Sequence, residues 1–222
     1  MKIGFVVTAH YSDEYRPNGG ELITNFCSTL NSHCKVEFSL YVVNNASTKQ
    51  LTLPENANVI RIEDQMLEGI TGAWNKGMHC AYSDGCELIL NCSDDMLINE
   101  SIHKLIDFIE SHDGSENFVY SALTDGTGLH AQFARKPDVG TTILEHCNGF
   151  FFAMTREHYE KYRFATDKYF NIHNTFNGGD GKWGGQEGQF IENHKKGASC
   201  LIVRECWLPH KKVRGWVQLR GK

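Results

Sequence analysis

Apolar runs of strand length alternate with stretches of helical period along the first half of the chain. Ile3 to Thr8 is a continuous apolar run and predicts a strand buried on both faces. After Gly19-Gly20, the residues Leu22, Ile23, Phe26 and Leu30 recur at helical spacing. Residues 36 to 43 alternate, with Phe38, Leu40 and Val42 against Ser39 and Tyr41, and read as a second strand. Val59 to Ile62 is a short third strand. Glu68 to Gly72 reads as a turn before a helix from about Ala73 to Tyr82. Cys86 to Leu90 supplies a fourth apolar strand and leads into Asp94-Asp95. Ser101 then precedes a helix with Ile102, Leu105, Ile106 and Ile109 on one face. This alternation predicts an α/β fold, a mostly parallel central sheet with helices on both faces. Ligands of such sheets gather outside the carboxyl ends of the strands. Three polar loops lie there, at residues 9 to 18, 44 to 48 and 93 to 95.

The second half is less regular. Asn117 to Ala122 and Asn148 to Met154 read as strands, His158 to Tyr162 as the start of a helix, Gln189 to Lys196 as a helix and Cys200 to Val203 as a last strand. Thr124 to Thr141 reads as a long loop on the acceptor side of a site, or a lid over it. Asn174 to Gly188 is polar and rich in Gly. No repeat, low-complexity tract or linker interrupts the chain, so its 222 residues read as one domain.

Composition narrows the function classes. A net charge of -5 gives no argument for binding nucleic acid or an anionic membrane. The local cations Lys211, Lys212 and Arg214 suit a small anionic ligand better. The eight cysteines form no C-x-x-C pair, which argues against a zinc ribbon or a disulfide miniprotein and for reduced, buried thiols in the cytoplasm. The chain begins directly with a strand, and no apolar run approaches ~20 residues, so neither a signal peptide nor a transmembrane segment is expected.

The candidate chemistry centres on Asp94-Asp95. Acids at the end of a buried strand are costly unless something positive neutralises them, and a hard cation prefers oxygen ligands. Taken alone, the pair also reads as a solvated turn before a helix. The alternatives lack their motifs. No G-x-G-x-x-G follows the first strand, and there is no Walker loop and no G-x-S-x-G elbow. The Gly-rich, Arg-bearing loop of a sugar-1-phosphate nucleotidyltransferase is absent too. What remains is a sheet that binds a nucleotide without a glycine cradle, with a metal against the phosphates.

Several stretches, in order, resemble the GT-A glycosyltransferases, and the inverting family 2 type most closely. Val6 to Tyr11 looks like that family's first strand. Val42-Val43-Asn44-Asn45-Ala46-Ser47 is similar to its V-D-N-x-S motif. Ala73 to Ala81 matches its A-x-N-x-G-x-x-x-A pattern. Leu88 to Asn91 leading to Asp94-Asp95 looks like its D-x-D motif, and Trp183-Gly184-Gly185-Gln186-Glu187 resembles its W-G-G-E-D element. The resemblance covers residues 3 to 210. A chain this short is also similar to the glycosyltransferases encoded by large algal viruses. Three departures stand out: Asn44 replaces an acid, Ser93 replaces the first acid of the D-x-D, and the E-D pair reads Gln186-Glu187.

The resemblance implies a single GT-A domain, with a nucleotide-binding half over about residues 1 to 98 and an acceptor and catalytic half over 99 to 222. It implies metal-dependent transfer of a sugar, with inversion, from a nucleotide sugar (a UDP-sugar by family habit) to a hydroxyl on a glycan or glycoprotein. The alternative is a GT-A-like domain that binds a nucleotide sugar or glycan without turnover. Mn2+ or Mg2+ would be held by Asp95, with Asp94 against the ribose or the metal shell, and His210 coordinating the metal or donating to the diphosphate. Glu187 would be the general base, with Asp180 as the competing carboxylate. Thr8, His10 and Tyr11 would lie over the base, Asn44 and Asn45 near the base and ribose, and Asn75 and Lys76 near the nucleotide sugar. Asn75 reads equally as a residue that satisfies backbone groups. Lys211, Lys212 and Arg214 would clamp the diphosphate. Trp183, with Gly184 and Gly185, would make a platform for the sugar. The chain would be cytoplasmic, in a host cell if viral, or one part of a larger multidomain glycosyltransferase.

Overall fold

A computed structural model describes residues 1–125, 131–134, 136–164, 167–176 and 178–211. Its core is one eight-stranded sheet. In chain order the strands are β1 (Ile3–Ala9), β2 (Phe38–Asn45), β3 (Asn58–Ile62), β4 (Leu88–Ser93), β5 (Phe118–Leu123), β6 (Thr141–Leu144), β7 (Phe151–Thr155) and β8 (Ser199–Trp207). Their spatial order is β3-β2-β1-β4-β7-β5-β8-β6. β1 pairs in parallel with β2 and β4, and β7 and β6 run against the others. The expected α/β class, with a largely parallel sheet, is therefore what the chain forms.

The helices are α1 (Gly19–His33), α2 (Gln65–Ser83), α3 (Ile102–Ser111), α4 (Arg156–Tyr162) and α5 (Gly188–His194). They cover both faces. α1 and α3 pack over one side of the sheet, where Ile102, Leu105, Ile106 and Ile109 are buried at the predicted helical spacing. Each such side chain contributes about 2 kcal/mol relative to exposure. α2, α4 and α5 cover the other side through Trp74, Met78, Tyr159 and Phe190.

Three expectations change in detail. The predicted turn at residues 68 to 72 lies inside α2, which breaks at Gly69 (φ 63°, ψ -166°). After the break, the N–H groups of Ile70 and Thr71 have no helical partner, and both donate to the carbonyl of Lys182, at 3.0 and 3.3 Å. β6 starts at Thr141, where the sequence suggested only the end of a loop. It is an edge strand paired with β8 alone. β8 itself runs on to Trp207, four residues past its apolar run.

Register brings the strand ends together. Thr8 of β1 lies between Val43 of β2 and Ser93 of β4. β7 begins where β4 stops, with Phe151 opposite Cys92, and the Ser93 N–H donates to the Phe150 carbonyl at 2.8 Å. Beyond β8 the chain returns across the same edge. Leu97 donates to Pro209 at 2.9 Å, and Met96 bridges to His210. The Asp94-Asp95 turn is thus enclosed by the β1–α1 loop, the start of β7 and the segment after β8.

Candidate active site

Asp94 and Asp95 are 1% and 5% exposed, so they are not a solvated turn. Arg16, in the β1–α1 loop and itself buried, reaches both. Its Nε lies 3.2 Å from Asp94 Oδ2, and a terminal guanidinium nitrogen bonds Asp94 Oδ1. The same nitrogen lies 3.5 Å from Asp95 Oδ2. The other carboxylate oxygen of Asp95 faces His210, with Nε2 3.2 Å from Oδ1. Formally, one guanidinium against two carboxylates leaves one negative charge, on the side of Asp95 and His210.

The titration of the two acids follows from these contacts. Burial, with Asp95 adding to it, pushes Asp94 up to about 7 against the pull of Arg16. Burial also raises Asp95, but the His210 contact, Arg16 and the Ser93 hydroxyl outweigh it and hold Asp95 below the ordinary carboxylate range. Burial lowers Arg16, and the two carboxylates more than reverse that.

His210 is fixed from three sides. It stacks on Phe150, with ring centroids 4.9 Å apart and planes 23° apart. Its backbone N–H donates to Asp125 Oδ1 at 2.8 Å, and the next N–H, of Lys211, donates to the Asp95 carbonyl at 2.9 Å. The Lys211 side chain lies 4.0 Å from Glu21. Lys212 and Arg214, the other two expected diphosphate clamps, lie outside the described residues.

The ends of β1 and β2 are joined by His10. The fully buried imidazole bonds the Asn45 carbonyl through Nδ1 at 2.8 Å and Ser12 Oγ through Nε2 at 2.7 Å. Burial is the main reason its pKa is lowered. Gly19 packs under the His10 carbonyl, where a Cβ would sit 1.9 Å from the oxygen. Thr8 Oγ1 and Asn45 Oδ1 are buried without a hydrogen-bond partner at these strand ends. The side chain of Asn44 accepts the Ser47 N–H at 3.1 Å and closes a local turn. The Tyr11 ring lies against Gly20, with Lys49 Nζ 5.2 Å from its centroid.

Glu187 and Trp183 line a cleft of about 420 Å³ together with Ser93, Phe150 and His210. Glu187 Oε1 accepts the Gly149 N–H at 3.4 Å. Gly149 is a position that sequence reasoning missed. A Cβ there would lie 2.2 Å from Trp74 Cη2 and 3.2 Å from Glu187 Oε1, so only glycine leaves both side chains where they are. A second cavity, of about 350 Å³, adjoins the first and is lined by His146, Phe176, Gly184 and Gly185. The two share a wall of Asn148, Trp183, Gln186 and Glu187. Gly185 has φ 84°, and a Cβ on it would lie 2.6 Å from the Phe176 nitrogen. A larger cleft of about 540 Å³, beside Lys104 and Trp207, contains neither the acid pair nor Glu187.

Several expected site residues also make contacts within the fold. Asp180 Oδ1 accepts the N–H groups of Lys182 and Trp183 at 3.0 and 2.8 Å and shapes the Gly-rich loop. Asn75 donates to the Phe170 carbonyl and accepts the N–H groups of Tyr169 and Phe170. Lys76 pairs with Glu68 at 3.0 Å. Arg16, by contrast, was not expected in the site at all.

Among the described residues, no group of three or more His, Cys, Asp or Glu side chains comes together as a metal site. Asp95 and His210 do present one oxygen and one nitrogen side by side. That suits a hard divalent ion which takes its remaining ligands from a diphosphate and water.

No protein-family model matches the chain, and no curated protein does. Solved structures do. The chain is similar to S. aureus TarS, at 17% identity over 95% of this chain and 60% of that one, with a TM-score of 0.61. It is similar to GalNAc-T7 crystallised with UDP, GalNAc and Mn2+, at 14% identity over 95% of this chain and 44% of that one, with a TM-score of 0.67. TarS in complex with UDP-GlcNAc matches at 15% identity over 98% of this chain and 61% of that one, with a TM-score of 0.61. The fold is the GT-A glycosyltransferase fold. The chain spans at most about 61% of the length of these structures.

Proposed function

We propose that this GT-A domain is a glycosyltransferase that moves a sugar from a nucleoside-diphosphate sugar to a hydroxyl of a glycan, with inversion at the anomeric carbon. The observation that carries the reading is one edge of the sheet. There a buried acid pair, with His210 against Asp95, borders the cleft into which Glu187 faces. UDP or UDP-GlcNAc bound to TarS, and UDP with Mn2+ bound to GalNAc-T7, support a uridine donor and a divalent ion.

Asp95 and His210 would hold the ion, which supplies positive charge to the leaving diphosphate. Asp94 would stand behind Asp95, tied to Arg16. The ends of β1 and β2, with Thr8, His10, Asn44 and Asn45, would take the nucleoside, with Tyr11 beside it. Trp183 would face the sugar. Glu187 would accept the proton of the acceptor hydroxyl as that oxygen attacks the anomeric carbon and the bond to the diphosphate breaks. A single base beside the cleft suits one displacement, and therefore inversion.

Eight free cysteines suit a reducing cytoplasm, and no helix among the described residues is long and apolar enough to cross a membrane. A thermal-shift screen of nucleotide sugars with and without Mn2+, followed by assay of nucleoside diphosphate release, tests the reading. Stabilisation by a nucleotide sugar only when Mn2+ is present, with release on adding a glycan acceptor, is the expected result. Binding with no release for any acceptor would leave a binding domain instead.

A further inference from the structure

We infer that Arg16 is a positioning residue that sets the charge of the acid pair, so that the site takes a divalent cation together with a diphosphate and not by itself. This rests on the proposed glycosyltransferase reading and goes beyond it, since nothing in the sequence resemblance assigns Arg16 a role. Arg16 is 1% exposed and is held on three sides. Its own N–H and carbonyl pair with Ser12 at 3.3 and 3.4 Å, and its carbonyl also accepts the Gly19 N–H at 3.0 Å. Ser12 is held by His10, and His10 by the Asn45 carbonyl. Asn45, His10, Ser12, Arg16, Asp94, Asp95 and His210 therefore form one connected path across the ends of β2, β1 and β4 to the segment after β8.

The guanidinium spans both oxygens of Asp94 and so engages that carboxylate from its two sides. A pair with one net negative charge and a histidine offers fewer charged ligands than a protein cage for a hard divalent ion uses. A diphosphate supplies the missing oxygens. With a neutral side chain at position 16, a proton or a cation would have to compensate the two buried carboxylates, and a cation would be drawn to them.

The test is Mn2+ titration followed by electron paramagnetic resonance at pH 8, on the full chain, with and without UDP and with thermal melts to check folding. Wild type is expected to bind Mn2+ with UDP and to bind Mn2+ alone at least about tenfold more weakly. Arg16→Gln should bind Mn2+ alone about tenfold more tightly than wild type, an effect on the scale of coupling between contacting charges. Asp94→Asn leaves the charge of Arg16 to Asp95, and should lose Mn2+·UDP binding by about tenfold. The double variant Arg16→Gln/Asp94→Asn keeps one negative charge and should bind Mn2+·UDP within about threefold of wild type. It also carries the test if Arg16→Gln alone does not fold. Unchanged or weaker Mn2+ binding by Arg16→Gln overturns the inference. So does a folded double variant no better than Asp94→Asn. The Mn2+-alone readout uses no nucleotide, so the effect of Arg16 on the acid pair is read even if wild type binds no UDP; that result would overturn the diphosphate half of the inference and count against the glycosyltransferase reading.

Discussion

His210 Nε2 lies 3.2 Å from Asp95 Oδ1 across a sequence separation of 115 residues. That contact fastens the segment after β8 to the end of β4 and presents one nitrogen and one oxygen donor side by side. If the pair holds an ion against a diphosphate, His210→Ala and Asp95→Ala each weaken Mn2+-dependent nucleotide binding. Loss of outer-shell partners alone costs about 10–100-fold at metal sites, so loss of a direct ligand is expected to cost no less. Calorimetric titration of UDP at saturating Mn2+ measures it.

Asn75 is tied into the fold. Its amide pairs with the backbone of Tyr169 and Phe170 through three hydrogen bonds in a buried setting. Asn75→Ala leaves those groups unpaired and is expected to destabilise the fold by about 2–4 kcal/mol, since each buried unsatisfied group costs about 1–3 kcal/mol. Urea denaturation should show a lower midpoint with an unchanged slope. Nucleotide affinity of the remaining folded protein should stay at the wild-type value.

Gly149→Ala probes the wall behind Glu187. The new methyl would overlap the Trp74 ring and crowd the Glu187 carboxylate. Overpacking of this kind costs about 1–3 kcal/mol. Because Trp74 and Glu187 both line the cleft, turnover should fall more than stability does. Parallel measurement of the melting temperature and of kcat separates the two.

Acid stability should report His158. The side chain is fully buried between the Glu116 carbonyl and the Tyr169 hydroxyl, and burial lowers its pKa to about 3. In the unfolded chain the imidazole takes up its proton near pH 6.5. The unfolded state therefore binds more protons below that point. Stability is complete above about pH 6.5 and falls as pH drops toward 3, at up to about 1.4 kcal/mol per pH unit from this group. Urea midpoints at pH 7, 5 and 4 should fall more steeply for wild type than for His158→Gln.

The frame of the fold is legible in the sequence because β1 and β4 are mostly apolar, as burial on both faces demands. The break at Gly69 shows as a turn, which is what a left-handed glycine does to a helix. β6 is hidden because an edge strand with one partner needs no apolar run, and its exposure simply alternates between exposed and half-buried. Asp94, Asp95, Glu187 and His210 are visible as candidates because the resemblance picks them out: the acids after β4, Glu187 in the W-G-G element before α5, and His210 after β8. Arg16 is not, because an arginine in a polar loop ordinarily points to water and its partner lies 78 residues away. One signal was present. Two acids after a buried strand require a nearby cation, and the three strand-end loops contain no Lys or Arg other than Arg16. Gly149 carries no local signal, since its constraint comes from Trp74, which lies on α2.

In the proposed reaction Glu187 takes the acceptor proton while the acid pair serves the diphosphate. This is tested most directly by comparing wild type and Glu187→Gln for UDP release from a UDP-sugar with Mn2+ and a glycan acceptor, alongside donor affinity. Loss of a general base lowers turnover by about 10²–10⁴-fold. The expected result is a fall in kcat on that scale, with the donor Kd unchanged within about twofold. Wild-type turnover by Glu187→Gln would contradict the account, as would a loss of activity fully explained by lost donor binding.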